Sequence, residues 1–87
     1  MEQIHMDVYA IDGNVAVVKL PVRRFPGILV QGDTMKMLAG LVQEALGAED
    51  LTASQQVLNE VHDLIGGFLS VYETALQNAG ERLPYKR

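Results

Sequence analysis

The sequence predicts an α+β domain: a three-stranded antiparallel meander followed by two or three helices packed on one face of the sheet. Three observations carry that expectation. Two β-rich runs flank Asp12-Gly13-Asn14, the segment Phe25 to Thr34 spells a turn, a short apolar strand and a helix start, and apolar residues recur at helical spacing from Thr34 onward. With 87 residues the chain has room for one small core, read as 1–31 sheet, 33–47 first helix, 51–79 second helix and 80–87 tail.

The first two strands form a hairpin. With Asp12 and Gly13 as the two loop residues of a type I′ turn, Met6, Val8 and Ala10 share an inner face with Val15 and Val17. The outer face then carries His5, Asp7, Tyr9 and Ile11 beside Ala16, Val18 and Leu20, which is too apolar for a fully solvated sheet. Pro21 stops the second strand, and Phe25-Pro26-Gly27 turns the chain into a third strand over Ile28 to Gln31. Gly32 is expected to free the backbone for a reversal before Asp33 or Thr34 caps the first helix.

In that helix Met35, Leu38, Val42 and Ala45 form one stripe, with Met37 and Leu41 beside it. The second helix is expected to start at Thr52, with Gln55 completing a capping box. Leu58, Val61, Ile65, Phe68, Tyr72, Ala75 and Ala79 then alternate three and four residues apart, a heptad seam of about three repeats. Gly66-Gly67 interrupts helix-favouring residues, so a kink or a break into two helices is expected there, with close approach of another backbone as the alternative. Gly80 reads as the residue just past the helix end and Pro84 confirms the stop, leaving a tail that is either loose or a short edge strand.

Composition narrows function by exclusion. A formal net charge of −4 disfavours direct nucleic-acid binding and favours a basic partner, and Arg23-Arg24 reads as a solvated turn. The absence of cysteine gives no reason to expect an oxidising compartment, and the start of the chain lacks the pattern of an export leader, so a cytoplasmic protein without membrane association is expected. His5 and His62 stand outside any metal-ligand pattern. Asp12 and Asp33 are accounted for by a turn and a cap, which leaves Asp7 alone. The expectation is therefore no catalytic residue, no metal and no cofactor.

Phe25-Pro26-Gly27, a three-residue apolar strand, and then Gln31-Gly32-Asp33-Thr34 resemble the HicB-like antitoxin family, and Gly80-Glu81-Arg82-Leu83-Pro84 is similar to that family's exit from its helix. The resemblance covers Val8 to about Leu46 well and the tail weakly, and it is closest to a bacterial offshoot that shares the Phe-Pro-Gly and Gln-Gly-Asp elements. It implies a β-β-β-α core likened to a partial ribonuclease H fold. It also implies binding rather than catalysis, since the typical member blocks a small RNA-cleaving toxin.

The sequence therefore points to a protein-binding module, antitoxin-like or immunity-like, directed at a small basic toxin. The alternative is a homo-oligomeric structural or regulatory protein. The residues expected to carry partner contacts are Asp7, read as outward-facing on the sheet, Glu60 and Asp63 on the second helix, and Met37 and Leu41 as the contact of a homodimer or higher oligomer.

Overall fold

A computed structural model describes residues Met1–Arg87. The elements run β1 (Asp7–Asp12), β2 (Val15–Lys19), β3 (Gly27–Val30), α1 (Gly32–Leu46) and α2 (Leu51–Asn78). The architecture is α+β: one antiparallel sheet in the order β1-β2-β3, then two helices. The helix count is two rather than two or three, because α2 continues through Gly66 and Gly67 without a break. Neither glycine has a positive φ, and an interior helical glycine costs only about 0.5–1 kcal/mol, too little to interrupt 28 residues of helix. The chain divides into two compact units, Met1–Val30 with Phe68–Arg87, and Gln31–Gly67.

In the sheet unit the hairpin loop is Gly13-Asn14, one residue later than expected, because Asp12 pairs with Val15. Gly13 has φ +58° and no other residue of the loop has a positive φ. That pattern fits a type II′ turn, which asks for glycine at its first central position, rather than type I′, which needs positive φ at both.

Ala10 pairs with Val17 but Val8 pairs with Val18, so a bulge at Tyr9 inserts one residue into β1. A bulge switches the alternation of faces. Tyr9 joins Ala10 on the inner face, whereas Val8 turns outward beside Val18. The expected inward placement of Met6 and Val8, and the outward placement of Asp7 and Tyr9, are thereby reversed.

Val15 and Val17 of β2 pair with Val30 and Ile28 of β3, which completes the inner face. The C-terminal part of α2 covers it. Val17 and Leu76 are fully buried, with Tyr72 and Ala75 beside them and Tyr9, Ala10, Ile28, Val71 and Leu83 packed around. Each fully buried valine or leucine contributes about 1.5–3 kcal/mol of burial, so this cluster anchors the helix to the sheet. The buried Tyr72 hydroxyl donates a 2.7 Å hydrogen bond to the Pro26 carbonyl, tying α2 to the turn before β3.

The end of α2 follows from local backbone chemistry. Glu81 N–H bonds the Leu76 carbonyl at 2.9 Å and Gly80 N–H bonds that of Gln77 at 3.1 Å, with Gly80 at φ +71°. This is the Schellman arrangement, in which glycine takes the left-handed position without a Cβ penalty. The tail is not a fourth strand. Instead Leu83 packs on the core, the Tyr85 ring stacks on Tyr72 at 6.3 Å between centroids, and the Tyr85 hydroxyl donates to Glu73 at 3.0 Å.

In the helical unit, α1 begins one residue before the expected span. Gln31 is its N-cap, in extended backbone and without a side-chain cap, while Asp33 Oδ1 accepts from Thr34 N–H at 2.8 Å. Gly32 is already helical and lacks a positive φ, so the expected reversal there does not occur. Thr34, Leu38 and Ala45 are buried and Leu41 half-buried, so the buried stripe is rotated from the expected one; Met35 and Val42 are exposed. Asp50, rather than Thr52, caps α2: its Oδ1 accepts Ala53 N–H at 2.8 Å, and an acid there also complements the helix dipole.

Candidate protein-binding surfaces

The bulge and the β2–β3 register together decide what the sheet shows on its outer side. Met6, Val8, Ile11, Val18, Leu20 and Leu29 fall there, with Ala16 between Ile11 and Leu29. No outward strand position carries a charge. An antiparallel sheet with one solvated face ordinarily alternates apolar and polar residues, so a wholly apolar outer side is unusual. Ile11 is 76% exposed, and Val8 and Leu29 are each 57% exposed. At the end of this face away from the hairpin, Met6, Val18, Leu20, Phe25 and Leu29 line a groove of about 360 Å³, with Arg23 at its margin. Gly27 contributes to the hollow, since it offers no side chain next to Val18.

The helical unit differs in charge. Gln31–Gly67 holds Asp33, Glu44, Glu49, Asp50, Glu60 and Asp63 against Lys36 alone, whereas the sheet unit has five acids and six bases. The excess negative charge of the chain therefore resides in the helical unit. None of those six carboxylates lies within ion-pair distance of a lysine or arginine; the one contact is His62 Nδ1 to Asp63 at 3.4 Å, both side chains exposed. Met37, Leu58 and Ile65 are exposed in the same unit. Leu58 and Ile65 belong to the expected heptad seam, of which this unit buries only Val61.

The residues expected to meet a partner are thus split between units. Met37 and Leu41 share a face of α1 at four-residue spacing, Met37 exposed and Leu41 half-buried. Glu60 and Asp63 are exposed neighbours on α2 at three-residue spacing. Asp7 stands apart in the sheet unit. It borders a shallow depression with Tyr9, Ala75, Asn78 and Glu81, on the inner side of the sheet rather than the outer. The bulge at Tyr9, for which the sequence carries no signal, puts it there.

Three tyrosines of the sheet unit titrate above their ordinary range. The Glu81 carboxylate near Tyr9, together with burial and the charge of Asp7, pushes the Tyr9 hydroxyl up to about 12. Burial and then Glu81 raise Tyr72, and burial and then Glu73 raise Tyr85. Each holds its proton because burial and the neighbouring carboxylates disfavour a phenolate, burial leading for Tyr72 and Tyr85 and Glu81 for Tyr9. The arrangement serves the tail and the helix end. No group of three histidine, aspartate or glutamate side chains is placed to hold a metal ion, and no helix is long and apolar enough to cross a membrane.

No curated protein and no solved structure matches this chain. The family model for DUF6959, a family of unknown function, matches residues 1–85, and the chain belongs to that family.

Proposed function

We propose that this chain is a non-enzymatic protein-binding module, antitoxin-like or immunity-like, that neutralises a small basic nuclease by direct binding. One observation carries the reading: the helical unit exposes carboxylates that no lysine or arginine pairs, together with apolar side chains, among them Glu60 and Asp63 on α2 and Met37 on α1. Complementary charge speeds the encounter with a basic protein, and desolvated apolar contacts then hold it. The β-β-β-α order and the Phe25-Pro26-Gly27 and Gln31-Gly32-Asp33-Thr34 elements support a HicB-like relationship, and a cytoplasmic setting belongs with it.

The test is co-expression with each reading frame encoded directly beside this one, a small basic product first among them if one is there, followed by co-purification and measurement of association rates. Complex formation is expected, with the double variant Glu60→Lys, Asp63→Lys lowering the on-rate at least tenfold. Absence of a complex with any neighbouring product, or an on-rate indifferent to that double variant, overturns the reading. A homo-oligomeric structural or regulatory protein is the second reading, favoured by the wholly apolar outer side of the sheet.

A further inference from the structure

We infer that the outer face of the sheet is the interface of a two-fold homodimer, two copies packing sheet against sheet. The inference goes beyond the partner-binding reading and stands whether or not a basic protein is bound. Three observations select a second copy as the occupant.

The first is shape. An isologous contact requires that whatever protrudes from one end of the patch fits what is recessed at the other. Ile11, 76% exposed, projects at the hairpin end of the face, while the groove beside Gly27 and Phe25 lies at the opposite end. A two-fold axis near the middle of the face brings each Ile11 over the partner copy's groove. Gly27 leaves that groove open because nothing lies within 4 Å of where its Cβ would be.

The second is charge. The outward strand positions carry none, so two copies meet face to face without like-charge repulsion. Arg23 sits at the rim, where water still reaches it. A basic partner is poorly matched to this side of the molecule, because the sheet unit already carries six lysines and arginines against five acids.

The third is area. Met6, Val8, Ile11, Leu20, Phe25 and Leu29 are each between 36% and 76% exposed. Taking about 150–250 Å² for a large apolar or aromatic side chain, they offer about 450–750 Å² per copy, so two copies together bring about 900–1,500 Å², which spans the roughly 1,000 Å² that a specific interface needs. Sheets stacked about 10 Å apart interdigitate such side chains as the two inner faces of a β-sandwich do.

The experiment is the mass of the purified chain by light scattering and sedimentation across a micromolar concentration range. A dimer is expected. Ile11→Lys and Leu29→Lys, each at an exposed site, are expected to weaken dimerisation at least tenfold while far-UV circular dichroism stays unchanged; Met37→Lys on α1 leaves the mass intact. Since the natural chain has no cysteine, mixing Ile11→Cys with Phe25→Cys under mild oxidation adds a test that does not depend on charge insertion. A mixed disulfide is expected there, and none when Met37→Cys replaces Phe25→Cys. A monomer throughout the range, or a dimer broken by Met37→Lys but not by the sheet variants, overturns the inference. Both outcomes concern the chain alone, so they are independent of whether the basic partner exists.

Discussion

Replacing Gly66 and Gly67 together by alanine is expected to stabilise the protein. Both residues are helical, exposed and free of positive φ, and a Cβ built at either position meets nothing within 4 Å. The substitution therefore adds no clash and no strain, while it narrows the conformations open to the unfolded chain and favours the helix. Each change is worth about 0.5–1 kcal/mol, and adjacent helical side chains point about 100° apart and share no partner, so the pair adds to about 1–2 kcal/mol. At about 4–8 °C per kcal/mol for a domain of this size, Tm rises by about 4–16 °C. The assay is thermal and urea unfolding followed by the helical circular-dichroism signal, with an unchanged urea slope confirming that the unfolded state is comparable. A midpoint that stays or falls refutes the reasoning, because it means that the bare backbone at Gly66-Gly67 is used by something absent from the single chain. Repeating the mass measurement on the same variant then shows whether that something is a second copy.

Three further outcomes follow from the same geometry. Tyr72→Phe removes the 2.7 Å bond to Pro26 and leaves a buried carbonyl unpaired, so urea unfolding should show a loss of about 1–3 kcal/mol, and an unchanged midpoint contradicts that. Because Tyr9 is pushed up to about 12 from an ordinary 10, the folded state keeps its proton longer than the unfolded state does. The stability linked to that proton is whole below pH 10 and is lost as pH climbs toward 12; Glu81→Gln should lower the Tyr9 titration in a tyrosinate absorbance experiment, and an unmoved titration removes the assigned cause. Gly32→Val, which a reversal at Gly32 would have made costly by at least about 1 kcal/mol, should leave the denaturation midpoint unchanged or raise stability by up to about 0.5 kcal/mol, since Gly32 is helical with open space around it; a loss above about 1 kcal/mol counts against this.

What the sequence conveyed well was carried by strong local rules. Strand order and the glycine that ends α2 rest on strong local preferences, whereas the hydrogen-bonded turn before β3 falls at Leu20–Arg23, where Arg23 N–H bonds the Leu20 carbonyl, and Gly27 of the expected Phe25-Pro26-Gly27 turn already opens β3 without a positive φ. The excessive apolarity of the outer sheet side was also legible, because Ile11, Ala16, Val18 and Leu20 fall there under either hairpin register. Three features were not. The bulge at Tyr9 puts that residue among those packed against the core cluster, whose helix members lie some sixty residues away in sequence, so no property of β1 alone announces it, and Asp7 and Val8 change sides as a result. The choice of Asp50 over Thr52 as a cap is a competition between two acceptable residues two positions apart. The rotation of the buried stripe of α1 toward Thr34, Leu38 and Ala45 reflects tertiary packing, which periodicity constrains only to within a neighbouring position.

The two surfaces proposed for this chain should respond to salt in opposite ways, and the reason lies in how its charges are divided. Contacts made by Glu60 and Asp63 rely on exposed charge, and raising ionic strength from about 0.05 to 0.5 M shortens the Debye length from roughly 14 to 4 Å. Association with a basic protein should therefore slow by an order of magnitude or more, with most of the loss in the on-rate. Packing of Ile11, Val18 and Leu29 against their counterparts in a second copy involves no charge at the outward strand positions, and sulfate or phosphate salts strengthen apolar burial by exclusion from the surface. Self-association should hold or tighten over the same range. A salt series read on both equilibria thus tests the sheet contact without any mutation: divergence fits an uncharged apolar face, whereas parallel weakening means that self-association too depends on attraction between opposite charges and counts against that face.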